Sequence, residues 1–291
     1  MKQLSTSVVI PNWQGKQLLE KNLPKVLAIG ADEVIVVENG STDGSLELLQ
    51  DKFPQVKVIV NNENEGFAKG VNQGVKVAAG DVIILLNTDV SPSKDLIKHI
   101  LPHFQDENVF TVSFNEEEWS WARGCVKKGL IEHGPGEKTK ETHISFWASG
   151  GSAAFDRRKW IELNGFNLVY EPFYWEDVDL SYRAQKRGWE VLWEPKAQVE
   201  HKHEVTVGKH FLGNKKDMVA QRNQILFFWC NITSTSMWIQ HLFYTPLRLI
   251  HPGYWIPFLW AILKLPQVFV SRVKYAGGEV SDEEILAKFK S

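Results

Sequence analysis

Four short runs of Val, Ile and Leu, each separated from the next by a helical pattern, constrain the fold of this chain more than any other feature. The runs occupy residues 8–10, 34–37, 56–60 and 82–86. Helical patterns near residues 17–29, 45–53 and 68–79 connect them. Apolar strands that do not alternate with polar residues, and that are linked by helices, predict an α/β fold with a mostly parallel sheet flanked by helices.

Each of the four predicted strands is followed by polar residues. These are Pro11-Asn12, Glu38-Asn39, Asn61-Asn62 and Asn87-Thr88-Asp89. In open parallel sheets ligands bind beyond the carboxyl ends of the strands, so we expect a binding site along this edge. Residues 115–145 mix acidic residues with Gly134-Pro135-Gly136 and lack a clear periodicity. This stretch is predicted to be a variable loop region.

Composition excludes several classes of protein. The 291 residues carry 33 basic and 35 acidic side chains, which is not the cationic balance of a nucleic-acid-binding protein. Cys125 and Cys230 form no CxxC pair, so neither a zinc knuckle nor a disulfide framework is expected. The N-terminus lacks the apolar stretch of a signal peptide. We therefore expect a cytoplasmic protein without a nucleic-acid partner.

The second predicted strand ends in a carboxylate and continues through a turn that contains two glycines. Glu38 can accept the imide N–H of a pyrimidine base, and the turn leaves backbone donors free. Asp43 or Ser45 can equally cap the helix that follows. This pattern alone does not decide between a nucleotide site and an ordinary turn.

Glycines recur every fourth residue at Gly66, Gly70 and Gly74, after Asn64 and around Phe67. A helix face without side chains lets a flat ligand or another backbone approach closely, and tight packing on the sheet would explain the same pattern. This is not GxGxxG, and the loop after the first strand does not contain that motif either. A dinucleotide-dependent dehydrogenase is therefore disfavoured.

The fourth strand runs into Asn87-Thr88-Asp89, a pattern that suits a hard divalent cation. Mg²⁺ or Mn²⁺ prefers carboxylate oxygen held at a rigid strand end, so Asp89 is a candidate ligand. The motif His201-Lys202-His203 offers a neutral imidazole, and His201 could complete the metal shell. The alternatives are that Asp89 caps the next turn and that His201 is structural.

Three carboxylates stand at the start of a predicted helix near residues 175–187. Asp177 or its neighbour Glu176 could act as a general base for a sugar hydroxyl, and Trp175 could stack on the acceptor sugar. A solvated helix start with an Asp179–Arg183 pair at i,i+4 explains the same residues.

The last 70 residues are rich in aromatic side chains. No run reaches the roughly 18–20 apolar residues that a membrane-spanning helix needs. Trp and Tyr beside Lys and Arg suit an interfacial membrane contact, whereas an apolar helical pack or a homodimer interface suits them equally. We divide the chain into a catalytic domain, residues 1–222, and an amphipathic helical tail, residues 223–291.

Taken together, these motifs resemble the family 2 glycosyltransferases of GT-A fold, a Rossmann-like architecture, and within them the rhamnosyltransferase-like branch. The resemblance implies that Glu38 binds the base, that Asp89 holds the metal and that Asp177 is the catalytic base. Asn87 stands where the metal motif usually has its first aspartate, and Glu38 stands in place of the more usual aspartate. Such enzymes often carry basic or aromatic membrane-facing segments after the catalytic domain, which is in keeping with Arg222-Asn223 and the aromatic tail. The predicted donor-binding residues are Pro11, Asn12, Glu38, Asn39, Asp43, Asn64, Gly66, Phe67 and Asn87.

The expected activity is an inverting transfer of a sugar from a nucleotide-diphosphate donor, a dTDP- or UDP-sugar such as dTDP-rhamnose. The expected acceptor is a hydroxyl of a glycan or lipid-linked molecule in cell-surface polysaccharide synthesis. One alternative is a sugar-nucleotide nucleotidyltransferase, which needs a Gly-rich, Arg-containing loop that residues 11–16 do not supply. The other is a non-catalytic scaffold of a membrane complex, against which the intact Glu38, Asp89 and Asp177 argue.

Overall fold

The computed structural model describes residues 3–116, 120–201 and 215–290. Lys202 and His203 of the predicted motif lie outside these described residues. The strands are β1 Thr6–Asn12, β2 Glu33–Asn39, β3 Lys57–Asn61, β4 Val82–Leu86, β5 Val90–Pro92, β6 Val109–Asn115, β7 Ala122–Lys127, β8 Leu130–Pro135, β9 His143–Ile144, β10 Ser152–Asp156 and β11 Glu190–His201. The helices are α1 Lys16–Leu27, α2 Ser45–Lys52, α3 Phe67–Val77, α4 Leu96–Ile100, α5 Arg157–Glu162, α6 Glu176–Lys186, α7 Lys215–Asn231, α8 Thr235–Leu249, α9 Trp255–Leu263, α10 Leu265–Lys274 and α11 Asp282–Ala287.

The main sheet has the strand order β3-β2-β1-β4-β10-β6-β11-β5, and β9 pairs with β11. Strands β1 to β4 pair in parallel, as predicted, and β6 pairs in parallel with β11. Strand β10 runs antiparallel between β4 and β6. The predicted α/β class is confirmed, and because β1, β2 and β4 run in one direction, their polar carboxyl ends meet at one edge of the sheet.

Helix α3 packs its glycine face directly on the sheet. A Cβ atom added at Gly74 would lie 2.5 Å from Cγ1 of Val9 and 3.1 Å from Cγ2 of Val37. At Gly70 the added atom would lie 3.1 Å from Nδ2 of Asn39. These two glycines therefore serve close helix-to-sheet packing, which was the structural alternative for the glycine series.

Residues 115–145 contain regular structure that the sequence did not predict. Strands β7 and β8 form an antiparallel hairpin, and β9 adds to the main sheet. The hairpin turn at Gly129 lies against α8, because a Cβ atom added there would meet the His241 backbone at 2.5 Å. The loop prediction for this region was wrong, since packing against the C-terminal helices holds the hairpin in place.

The C-terminal helices share a core with the earlier part of the chain. Ile225, Phe227 and Phe228 of α7 pack in one buried cluster with Tyr182 of α6 and Ile131 of β8. Helix α7 runs continuously through residues 222 and 223, where we placed the division between domain and tail.

Candidate active site

A cavity of about 800 Å³ opens at the carboxyl ends of β1, β2 and β4. Most of the predicted site residues line it, and the three exceptions are Glu38, Asp43 and Trp175. The predicted residues in the lining are Pro11, Asn12, Asn39, Asn64, Gly66, Phe67, Asn87, Asp89, Glu176, Asp177 and His201. Volumes of this size are typical of small-molecule and cofactor sites. Residues far apart in the sequence therefore face one shared space.

Glu38 lies behind the cavity wall and holds a residue that lines it. Its side chain is buried, and its two carboxylate oxygens accept hydrogen bonds from Nδ2 of Asn12 at 2.5 Å and from the backbone N–H of Ser41 at 3.0 Å. The amide of Asn12 is thereby fixed at the cavity. In this arrangement Glu38 orients Asn12, and the carboxylate itself is not presented to a ligand.

Asp43 ties together the beginnings of two helices. One carboxylate oxygen accepts from the backbone N–H of Lys16 at 2.8 Å, and the other accepts from the backbone N–H of Ser45 at 3.0 Å. Burial opposes ionisation, but these hydrogen bonds outweigh it and lower the pKa of Asp43. Asp43 therefore binds the backbone at the start of a helix, which is the structural alternative that the sequence left open.

Asp89 and His201 meet at the cavity, together with Glu116, which the sequence did not single out. Oδ1 of Asp89 lies 3.3 Å from Nε2 of His201, and Oε1 of Glu116 lies 3.1 Å from Nδ1. Burial lowers the pKa of His201, but the hydrogen bonds and charges of the two carboxylates outweigh it and raise the pKa to about 9. The imidazole ring therefore lies between two carboxylates, and the raised pKa favours its protonated form.

The donor set at this position suits a divalent cation. A carboxylate oxygen and an imidazole nitrogen are ligands that Mn²⁺ accepts, and a bound cation would take the place of the proton between them. Within residues 3–116, 120–201 and 215–290, no group of three or more His, Cys, Asp or Glu side chains has the arrangement of a preformed metal site. Asp89 and His201 thus fit as two ligands of an ion whose other ligands come from elsewhere.

The turn before α6 points two carboxylates into the cavity. Oδ2 of Asp177 accepts from the backbone N–H of Gly150 at 3.0 Å, and Oδ1 accepts from Val178 at 2.8 Å. Glu176 is buried, and among the described residues its Oε2 has no hydrogen-bond partner. Burial raises the pKa of Asp177 to about 6, and burial together with the charge of Asp177 raises that of Glu176 to about 8.

Backbone strain precedes these carboxylates. Tyr174 and Trp175 both have positive φ, at 72° and 78°, a conformation that non-glycine residues rarely adopt. The buried Asn223 of α7 donates from Nδ2 to the carbonyls of Tyr170, Phe173 and Tyr174 at 2.6–2.9 Å. An element from the C-terminal part of the chain therefore holds the turn that aims Asp177.

Arg222 also donates hydrogen bonds to the backbone that precedes the strained turn. It is buried, and its Nη2 donates to the carbonyl of Glu171 at 2.6 Å. The resemblance associated Arg222-Asn223 with membrane-facing segments, but both side chains are buried inside the protein. The sequence signal was two polar residues close before the apolar run at 225–229, because buried polar groups need partners inside the protein.

Asp179 and Arg183 form the i,i+4 pair that the sequence suggested, but inside the protein. Nε of Arg183 donates to Asp179 at 2.7 Å, and both side chains are at most 5% exposed. The hydroxyl of Tyr170 and Nδ2 of Asn231 also donate to Asp179, each at 2.8 Å. The solvated alternative is therefore wrong for this pair, and the network anchors α6 on α7.

Aromatic side chains line the cavity near the carboxylates, although Trp175 is not among them. The Trp175 ring is buried against Phe227, with the ring centroids 5.1 Å apart. Trp147, Tyr174 and His133 of β8 line the cavity instead. Among the described residues, Nε1 of Trp147 is a buried donor without a partner, which is a group that a ligand can satisfy.

Known glycosyltransferases are similar to this chain in sequence. A model of the family Glycosyl transferase family 2 matches residues 7–159. The uncharacterized glycosyltransferase YfnE of Bacillus subtilis is 38% identical over 113 residues, which cover 36% of this chain and 29% of that protein. The dolichol-phosphate mannosyltransferase of Pyrococcus furiosus is 27% identical over 186 residues, 58% of this chain and 52% of that protein. The chain thus spans about half, or less, of the length of these relatives.

Solved structures share the fold. GalNAc-T7, crystallised with UDP, GalNAc and Mn²⁺, has a TM-score of 0.62 at 17% identity, over 91% of this chain and 54% of that one. The mannosyltransferase PcManGT of Pyrobaculum calidifontis, in complex with GDP-Man and Mn²⁺, has a TM-score of 0.55 at 17% identity, over 96% and 77%. The predicted GT-A fold is confirmed. Because the family model covers more than half of its 291 residues, the chain belongs to glycosyl transferase family 2.

Proposed function

We propose that this chain is an inverting glycosyltransferase that moves a sugar from a nucleotide-diphosphate donor to a hydroxyl of a glycan or lipid-linked acceptor. A dTDP- or UDP-sugar, including dTDP-rhamnose, is the donor class, and cell-surface polysaccharide synthesis is the setting. One observation carries the proposal: Asn12, Asp89, His201 and Asp177 line a single cavity of about 800 Å³. That volume accommodates a donor and the reacting end of an acceptor.

Asp177 is the general base. A base that works near neutral pH needs a pKa close to that range, and burial raises the pKa of Asp177 to about 6. The backbone N–H groups of Gly150 and Val178 fix both oxygens, so the carboxylate keeps one orientation. It removes the proton of the acceptor hydroxyl as that oxygen attacks the anomeric carbon and the nucleoside diphosphate leaves from the opposite side. Such a single displacement inverts the anomeric centre and needs no covalent enzyme intermediate.

Glu176 has a different task from its neighbour. Its higher pKa, about 8, keeps the carboxyl protonated at neutral pH, because burial and the nearby Asp177 both disfavour its charge. A protonated carboxyl can donate a hydrogen bond to a sugar hydroxyl, whereas it cannot accept a proton. The pair thus divides into a base and a neutral contact.

Asp89 and His201 would hold the divalent metal, Mg²⁺ or Mn²⁺, which when bound offsets the negative charge of the diphosphate. On the donor side Asn39 donates from Nδ2 to the carbonyl of Gly66 at 3.1 Å, and this fixes the turn that carries Asn64 and Phe67 at the cavity. Asn12, which Glu38 orients, offers its side-chain amide to the nucleobase or ribose of the donor.

The acceptor lies against the aromatic part of the cavity wall. Trp147 and Tyr174 offer faces on which a sugar ring can stack, and Nε1 of Trp147 can donate to one of its hydroxyls. Trp175, which the sequence suggested for this contact, supports the site from behind through its packing on Phe227.

The test is a thermal-shift screen of the full chain with nucleotide-diphosphate sugars, each with and without Mn²⁺. Stabilisation by a bound ligand follows its affinity, so the true donor raises the melting temperature most, and only with the metal. The best donor is then assayed for release of its nucleoside diphosphate, with Asp177→Asn as the inactive comparison. Stabilisation by a nucleoside triphosphate plus sugar phosphate, with release of pyrophosphate, would instead identify a nucleotidyltransferase. Absence of any binding would favour the scaffold.

A further inference from the structure

Helices α8 to α10 expose an unusual amount of apolar surface. Of the eighteen large apolar side chains that are exposed among the described residues, thirteen lie between Ile239 and Val273. Phe243 and Phe269 are each 67% exposed, and Val273 is 81% exposed. We call these thirteen side chains the apolar face. Exposed apolar side chains that are concentrated on one group of helices mark an interaction site.

The opposite side of the same helices is already packed on the protein. Met237 and His241 of α8, Ala261 of α9 and Val268 of α10 are buried. Met237, Ala261 and Val268 belong to the core cluster that also contains Phe227 and Trp175. The helices are therefore held in place by one side, and the apolar face is not needed for folding.

Among Asp, Glu, Lys and Arg, the segment that carries the apolar face contains only cations. No Asp or Glu occurs between Asp217 and Glu279, whereas Arg248 and Lys274 fall within this stretch, and Lys274 is exposed. The turn of the β7–β8 hairpin adds Lys128, which is exposed. That turn contacts α8, since Nδ1 of His241 lies 2.8 Å from the carbonyl oxygen of Gly129. Apolar and aromatic side chains with cations at their margin match a bilayer surface that carries anionic headgroups.

We propose that the apolar face docks on a lipid bilayer with anionic headgroups, with α8, α9 and α10 lying in the interfacial plane. No single helix among the described residues is long and apolar enough to cross a membrane. Only the pair Pro252–Leu263 and Leu265–Lys274 passes the length and composition test together, and it is bent by 56°. With one side packed on the core, these helices can present only the other to lipid.

A second copy of this chain fits the apolar face less well than lipid does. In a twofold dimer the same patch faces itself, and residues 218–278 contain no Asp or Glu that could pair with their cations. An anionic lipid surface supplies the opposite charge along the whole margin.

Docking also brings the catalytic cavity to the membrane. The hairpin that contacts α8 at its turn carries His133 and Pro135 at its other end, and both line the cavity. Docking would therefore hold the cavity on the same side of the protein as a lipid-anchored acceptor. This last step rests on the proposed function, whereas the docking itself does not.

The experiment measures binding of the full chain to vesicles of phosphatidylcholine, alone or mixed with phosphatidylglycerol, by co-sedimentation. Wild type should bind the mixed vesicles more tightly and lose binding as salt rises, because charge contributes to the attraction. The double variant Phe243→Glu/Phe269→Glu should bind at least about tenfold more weakly, since two large apolar contacts are replaced by charges. Ile161→Glu on α5, where the side chain is 52% exposed outside the apolar face, is the matched control and should bind as wild type does.

Three results would overturn the proposal. They are no binding of wild type to either vesicle, equal binding of the double variant, and a wild-type dimer that the double variant converts to a monomer while vesicles bind neither. The last result would assign the face to a second copy, and analytical ultracentrifugation detects it. Donor binding by calorimetry is measured on the same proteins, so a failure of the proposed function is visible separately from a failure of docking.

Discussion

Replacing Asp177 by Asn should abolish most of the catalysis and at the same time stabilise the fold above neutral pH. Asn preserves the size of the side chain but cannot take a proton from the acceptor. General-base catalysis contributes about 10²- to 10⁴-fold, so the transfer rate should fall by that factor. Donor affinity should persist, because the base acts mainly in the transition state.

The stability change follows from the pKa of Asp177. Burial raises it from 3.8 to about 6, so the unfolded chain ionises this group at a lower pH than the folded protein does. The free energy of unfolding therefore falls as pH rises between these two values, by about 1.4 kcal/mol per pH unit and about 3 kcal/mol in all. The favourable contribution is complete below pH 3.8 and is lost above pH 6. The Asn side chain does not ionise, so the free energy of unfolding of the variant does not fall in this way.

A lost hydrogen bond opposes the gain. The two oxygens of Asp177 accept from Gly150 and from Val178, whereas Asn has one oxygen, so one buried N–H loses its partner at about 1–2 kcal/mol. At pH 8 the variant should therefore be more stable than wild type by about 1–2 kcal/mol, and near pH 4 it should be less stable by a similar amount. Removing the charge also lowers the pKa of Glu176, which adds to the gain at high pH.

Urea denaturation of the full chain at pH 4 and at pH 8 measures both of the predicted changes in stability. Asp51→Asn is the matched control, because this carboxylate is exposed and lies outside the cavity lining. A destabilisation of Asp177→Asn that is equal at both pH values would refute the burial argument. Turnover close to wild type would eliminate Asp177 as the base. The wild-type rate should itself rise as pH passes through about 6, where the base ionises.

Three further variants test other parts of the site. Asp89→Asn should remove the part of the donor-binding heat that EDTA abolishes in wild type, and unchanged heats would exclude Asp89 as a metal ligand. Asn223→Ala removes the donor of the Phe173 and Tyr174 carbonyls, while the Tyr170 carbonyl keeps Nη2 of Arg222; unfolding should become easier by about 2–4 kcal/mol and kcat should fall while donor affinity holds. If donor affinity fell together with kcat, the role of Asn223 would not be confined to the turn. Gly74→Ala places Cβ 2.5 Å from Cγ1 of Val9 and should cost about 1–3 kcal/mol, whereas Gly253→Ala, with open space around it, should change little.

The convergence of the proposed donor-binding residues could be predicted because one rule of sheet geometry governs it. Parallel strands that are neighbours must end at the same edge, so the polar residues after β1, β2 and β4 had to converge. Side-chain direction is not fixed by that rule. Glu38 and Asn12 both follow strands, yet only Asn12 lines the cavity, because Glu38 is buried beneath it.

The acceptor side could not be predicted in the same way. The β7–β8 hairpin has exposed Arg123, Cys125 and Lys127 on one strand and no long apolar run, so its periodicity is weak. Its position depends on contacts with α8, more than a hundred residues later in the chain. Trp175 had the composition of a stacking residue, but its positive φ turns the ring into the core. The local sequence therefore predicts neither the position of the hairpin nor the direction of the Trp175 side chain.

The strained turn connects the aromatic-rich C-terminal segment with the proposed catalytic carboxylates. Two buried carboxylates with raised pKa values and two residues with positive φ each destabilise the fold locally. Such a turn persists only where surrounding contacts outweigh its strain. Asn223 supplies three of them, and the core formed by α7 to α10 holds Asn223 in place. Helices α8 to α10 carry the apolar face on their other side, so the element proposed to bind the membrane also supports the geometry of the proposed base.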